Sequence, residues 1–104
     1  MQLNKKTIVI TGASSGIGAT LAKRASLNGA SVVLAARTES KLLELASDIN
    51  SSGGTALAIP TDITDSEQCE NLVKETIDTF EKLDVLVLNA GISMWSDFES
   101  IKDV

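Results

Sequence analysis

Four short stretches of the chain, Ile8-Val9-Ile10, Val32-Val33-Leu34-Ala35-Ala36, Ala56-Leu57-Ala58-Ile59 and Val85-Leu86-Val87-Leu88, are apolar at every position. A strand with one face in water alternates apolar and polar residues. One that never alternates must be buried on both faces, the condition of a parallel sheet flanked by helices. Helices therefore have to lie between the runs, and the intervening segments supply them. Residues 17–28 place Ile17, Leu21, Ala22 and Ala25 at helical spacing and stop at Asn28-Gly29. Residues 38–50 do the same with Leu42, Leu45, Ala46 and Ile49, ending near Gly53-Gly54. Residues 66–82 carry Cys69, Leu72, Val73, Ile77 and Phe80 on one stripe behind Thr64-Asp65, which reads as a helix cap.

The order β-α-β-α-β-α-β predicts an α/β fold. Crossovers between parallel strands are right-handed in nearly all cases, so a chain that reverses direction across the sheet sends its next helix to the other face. The commonest doubly wound arrangement orders four such strands 3-2-1-4, with the third helix alone on the opposite side and a ligand crevice between strands 1 and 4. Residues 1–104 read as one partial domain with no repeat or linker, ending inside a fourth helix that begins near Ser96-Asp97.

Composition narrows the function. Nine basic residues against 14 acidic ones give a net charge of −5, and no basic cluster exceeds Lys5-Lys6 or Lys23-Arg24. Counterion-driven binding to nucleic acid or to an anionic membrane is therefore disfavoured, and an anionic ligand must be gripped locally. No apolar run approaches the roughly 18 residues of a membrane span, and no signal-peptide pattern follows Lys5-Lys6. A lone cysteine, Cys69, makes no internal disulfide and suits the cytoplasm; on the apolar stripe of its helix it reads as a buried core thiol. No metal site is expected. Asn50-Ser51-Ser52 fits a glycosylation sequon, which would matter only in a secreted chain.

Directly after the first strand comes Thr11-Gly12-Ala13-Ser14-Ser15-Gly16-Ile17-Gly18, running into the first helix. Gly12 permits a sharp turn, Gly16 lets backbone N–H groups approach a pyrophosphate, Gly18 lets the helix pack closely on the strand, and the helix N-terminus offers positive potential. An ATPase-type phosphate loop would need a lysine after its last glycine, where this chain has Ala19. Thr11 to Gly18, with Asp62 after the third strand and Asn89-Ala90-Gly91 after the fourth, resembles the motif set of the short-chain dehydrogenase/reductase family over essentially the whole chain. The resemblance implies a Rossmann-type sheet, a nicotinamide dinucleotide and hydride transfer to or from a small carbonyl or alcohol substrate.

A free ribose 2′-hydroxyl wants a carboxylate at the end of strand 2; here that place holds Ala36, followed by Arg37. A guanidinium matches a 2′-phosphate, so NADP(H) is preferred over NAD(H), with Thr38 and the adjoining Ser40 and Lys41 as further donors. The alternative for Arg37 is an ordinary solvated arginine. Family members often carry a second basic residue before the middle glycine, where this chain has Ser15. By resemblance, Asp62 accepts from the adenine amine and the Ile63 N–H meets the ring; Asp62 reads equally as the turn residue before the third helix. Asn89, Ala90 and Gly91 lie across the crevice from Gly12, the small pair leaving room for the cofactor, while by resemblance Asn89 braces the sheet.

The catalytic Ser and Tyr-x-x-x-Lys of the family have no counterpart: the chain contains no Tyr and no His, and Ser93 precedes the stretch where the family's serine lies. No catalytic residue is assigned. Trp95, with Met94 and Phe98, either lines a substrate entrance or covers the sheet. The expectation is a dinucleotide-binding portion truncated before its catalytic half, binding cofactor without turnover. The alternative is a genuine short NADP(H) sensor. Strand 85–88, at the sheet edge, is expected to invite self-association.

Overall fold

The computed structural model describes residues 3–14 and 16–88. Seven elements follow one another: β1 (Thr7–Thr11), α1 (Gly16–Leu27), β2 (Ser31–Ala36), α2 (Glu39–Ser51), β3 (Thr55–Pro60), α3 (Ser66–Phe80) and β4 (Val85–Leu88). The strands form one parallel sheet, as the apolar runs require, in the commonest doubly wound order, β3-β2-β1-β4.

Two cores explain why the central strands never alternate. Ile8 and Ile10 of β1, with Val32, Leu34 and Ala36 of β2, face α1 and α2 and meet Ala22, Ala25, Leu42, Leu45, Ala46 and Ile49. The residues between them, Val9, Val33 and Ala35, face the other way and pack with Ile59 and Leu72 of α3. Each successive side chain enters a different core, so every position must be apolar.

Two helices bury a different line of residues from the one their hydrophobicity predicts. In α1 the buried residues are Gly18, Ala22 and Ala25, whereas Ile17 is 77% and Leu21 38% exposed. The smallest side chains face the sheet because they allow the closest approach of helix to strand. In α3 Leu72 and Thr76 are buried, while Val73 and Ile77 are 44% and 42% exposed. Thr76 tolerates burial because its hydroxyl donates to the Leu72 carbonyl at 2.7 Å. Cys69 is half-buried rather than a core residue, its thiol donating to the Ile63 carbonyl at 3.3 Å. The helix ends earlier than expected, with Glu81 left-handed at φ 68° and its N–H on the Ile77 carbonyl.

Both edges of the described sheet are pinned by side chains. Asn50 donates to the Ala56 carbonyl at 3.2 Å and accepts from the Ala56 N–H at 2.9 Å, satisfying backbone groups of edge strand β3. The sequon asparagine is thus a structural clamp. On the other side Asp84 accepts from the Thr7 N–H at 2.8 Å and donates its own N–H to the Thr7 carbonyl at 2.9 Å, fixing the register of β4 on β1. The Thr7 bond, helped by Lys82, holds the Asp84 carboxyl below its ordinary value. β4 itself is half-buried along its length. Among the described residues no helix is long and apolar enough to cross a membrane.

Candidate functional site

The segments leaving β1 and β3 both hang from the end of β2. The Ala13 N–H donates to the Ala35 carbonyl at 3.2 Å and the Thr61 N–H to the Ala36 carbonyl at 2.8 Å. The Thr11 hydroxyl reaches the Val87 carbonyl at 3.2 Å, tying in the end of β4. These ties hold open a cleft of about 300 Å³ whose wall includes Gly12, Ser14, Arg37, Thr38, Asp62 and Ile63, completed by Ala36, Thr61 and Thr64. Six of the residues singled out in the sequence, from three separate loops, therefore meet in one place. Thr61 and Thr64 were not anticipated; the spacing Asp62-x-Thr64, a turn signal, could have flagged the latter.

Gly12 has φ 66°, where a side chain would cost roughly 1–2 kcal/mol. Gly16 is glycine for neither strain nor packing. Its φ is not positive, and a Cβ built on it meets nothing within 4 Å beyond its chain neighbours and the backbone of its own helix. The space beside it lies open at the first turn of α1, in a shallow depression shared with Ile17, Thr20, Leu21 and Arg24. A bare backbone facing open space at a helix N-terminus is a cradle that fits an anionic group. Gly18, by contrast, is buried against the sheet, as expected.

Arg37 projects from the end of β2 with its side chain 74% exposed and Nη1 3.9 Å from Asp62 Oδ2. Thr38 begins α2 without a capping bond from its side chain, so its hydroxyl is uncommitted. Asp62 is the turn residue before α3 and also lines the cleft. Oδ1 accepts from the Thr64 N–H at 3.0 Å and the Thr64 hydroxyl at 2.7 Å, closing the turn, while Oδ2 faces the cleft. The Thr64 hydroxyl, then the Thr64 N–H and the Arg37 charge, hold the carboxyl below its usual value. Helix α3 is capped by Asp65, which accepts from Glu67 and Gln68.

Ser15, Asn89, Ala90 and Gly91 lie outside the described residues, as do Ser93, Met94, Trp95, Phe98 and the helix expected from Ser96. A separate cavity of about 540 Å³ sits at the opposite end of the sheet, between the C-terminal turns of α1 and α2, away from this cleft. No group of three or more His, Cys, Asp or Glu suited to a metal occurs among the described residues.

A family model described as short chain dehydrogenase matches residues 6–104. An uncharacterised oxidoreductase of Listeria innocua is 41% identical over 103 residues, which cover 99% of this chain and 42% of that one. The crystal structure of a hydroxysteroid dehydrogenase from Escherichia coli superposes with a TM-score of 0.84 at 35% identity, covering 88% of this chain and 39% of that one. That of a metagenomic short-chain oxidoreductase in complex with NADP gives 0.81 at 36% identity, with 88% and 42% covered. The chain spans about two-fifths of the length of these relatives.

Proposed function

Because the chain belongs to the short-chain dehydrogenase family, we propose that its 104 residues act as one dinucleotide-binding unit with a preference for NADP(H) over NAD(H). The observation that carries this is the meeting of Gly12, Ser14, Arg37, Thr38, Asp62 and Ile63 on one cleft in which the strand-2 position suited to an acid is Ala36.

The division of labour follows from the chemistry of each group. Ser14, the turn at Gly12 and the open backbone at Gly16 hold the pyrophosphate at the start of α1, the motif assigning Ser15 and Ile17 to the same task and Gly18 setting the helix close to the sheet. Arg37 and the free Thr38 hydroxyl hold a 2′-phosphate, the guanidinium through its planar fork. Asp62 and Ile63 flank the adenine end. The family motif assigns Asn89, Ala90 and Gly91, next in sequence after β4, to the same cofactor. A bound nicotinamide supplies or accepts the hydride. With no Tyr and no His, the chain holds the cofactor and leaves to other residues of a longer protein the proton transfer that reduction of a carbonyl, or oxidation of an alcohol, requires. Strand β4, half-buried at the edge of the described sheet, is the surface proposed for self-association of the isolated chain; sedimentation velocity showing a non-associating monomer at high concentration refutes that part.

Titration with NADPH and NADH, followed by energy transfer from the sole tryptophan, tests the proposal. Saturable binding favouring NADPH, with the preference abolished in Arg37→Ala, is the expected result. Equal affinity for the two cofactors, or no binding to either, refutes it.

A further inference from the structure

The cleft wall contains one base and one acid, Arg37 and Asp62, and they face each other. Their juxtaposition is set by the backbone. Ala36 is in register with Pro60, and the Thr61 N–H is bonded to the Ala36 carbonyl, so positions 37 and 62 emerge side by side from two adjacent strands. The carboxylate is itself held in place. The Asp62 N–H donates to Gln68 Oε1 at 2.8 Å and its Oδ1 is consumed by two bonds from Thr64, leaving Oδ2 turned toward the guanidinium.

We propose that Asp62 is a specificity-determining residue that restrains the preference Arg37 creates, by holding the guanidinium in the free protein so that only a 2′-phosphorylated ligand has to draw it away. The inference rests on the assignment of Arg37 to the 2′-phosphate. A phosphate carries close to two charges and takes two donors of the fork, whereas Asp62 offers one oxygen at 3.9 Å, so the phosphate prevails but loses part of its advantage. A ligand with a bare 2′-hydroxyl does not need Arg37 and loses nothing. Exposed ion pairs are weak, so the restraint is a matter of a few-fold in affinity.

The test is a cycle on the full 104-residue chain, measuring NADPH and NADH dissociation constants for the wild type, Asp62→Asn, Arg37→Ala and the double variant. Asparagine keeps the acceptor for Thr64 and removes the charge; Asp62→Ser, which keeps a shorter acceptor for the Thr64 N–H, serves if asparagine disturbs the turn. Thermal melts establish that each variant is folded. The expected result is a rise of about two- to fivefold in the NADPH-to-NADH affinity ratio on neutralising Asp62, absent when Arg37 is already alanine. A ratio that stays constant while both cofactors weaken together overturns the inference, leaving Asp62 a purely adenine-facing group. A fall in the ratio, or a rise that persists without Arg37, overturns it as well. Failure of Arg37→Ala to change the ratio, or of the wild type to bind either cofactor, instead removes the assignment of Arg37 and the inference with it.

Discussion

Helices α2 and α3 start from the same end of the sheet, shortly after β2 and β3, yet their first turns are finished in opposite ways. The start of α3 is closed on itself: Asp65 accepts from the Glu67 and Gln68 N–H groups and from the Gln68 side chain, Gln68 accepts from the Asp62 N–H, and Asp62 accepts twice from Thr64. The start of α2 is left open. Thr38 makes no side-chain cap bond, and Arg37 before it is largely in solvent. A helix start without a cap forgoes about 1 kcal/mol. One first turn is closed by its own side chains, and the other leaves its donors open, as the proposed 2′-phosphate site requires.

That contrast breaks in measurable ways. The largest effect is expected away from both helix starts, at the glycine loop after β1. Gly16→Val should weaken both dinucleotides by more than about 100-fold, roughly 2.7 kcal/mol, while the melting temperature barely moves, because the new Cβ meets nothing within 4 Å beyond its chain neighbours and the backbone of its own helix. Calorimetric titration paired with a thermal melt checks both halves. At the open start of α2, Arg37→Ala should cost NADPH about 10- to 100-fold, in line with charged hydrogen bonds worth about 1.5–3 kcal/mol, and leave NADH within about twofold. At the closed start of α3 the balance reverses. Asp65→Ala should lower unfolding free energy by about 1 kcal/mol in urea and leave the NADPH-to-NADH ratio unchanged. Thr38→Ala, removing no cap bond, should shift stability by under about 0.5 kcal/mol and weaken NADPH about threefold.

The smallest effect is one of pH. The folded-state carboxyls of Asp62 and Asp84 lie below their ordinary values, Asp62 through the Thr64 hydroxyl and Asp84 through the Thr7 N–H. Their contribution is complete above the unfolded value near about 3.9 and is lost as pH falls through the lower folded values. Stability should therefore decline below about pH 4, with a shallower decline in Asp84→Asn, as followed by urea unfolding across the acid range.

The strands were legible because burial on both faces leaves an unbroken apolar run, and the glycine turn because its spacing follows one such run directly. The helices were less so. Hydrophobic spacing favours Ile17 and Leu21 over Gly18, and Val73 and Ile77 over Thr76, since it weighs how apolar a side chain is and not how closely its helix can approach the sheet. Within the candidate site, Gly12, Ser14, Arg37 and Thr38 could be named from the glycine turn and the end of strand 2, and Asp62 and Ile63 from the family resemblance. The closed web from Asp62 to Gln68 could not, because it depends on which carboxylate oxygen points where.

From the chain alone followed the sheet order, the crossing of α3 to the second face, the glycine turn and the replacement of an acid by Ala36-Arg37, because each is encoded in local pattern and in the handedness that all L-amino-acid chains share. Only the folded structure decided that Arg37 faces Asp62, that Asn50 closes the edge of β3 and that Gly16 opens on unfilled space. Those facts arise where strand register brings distant residues within reach, and register is settled by the whole core at once.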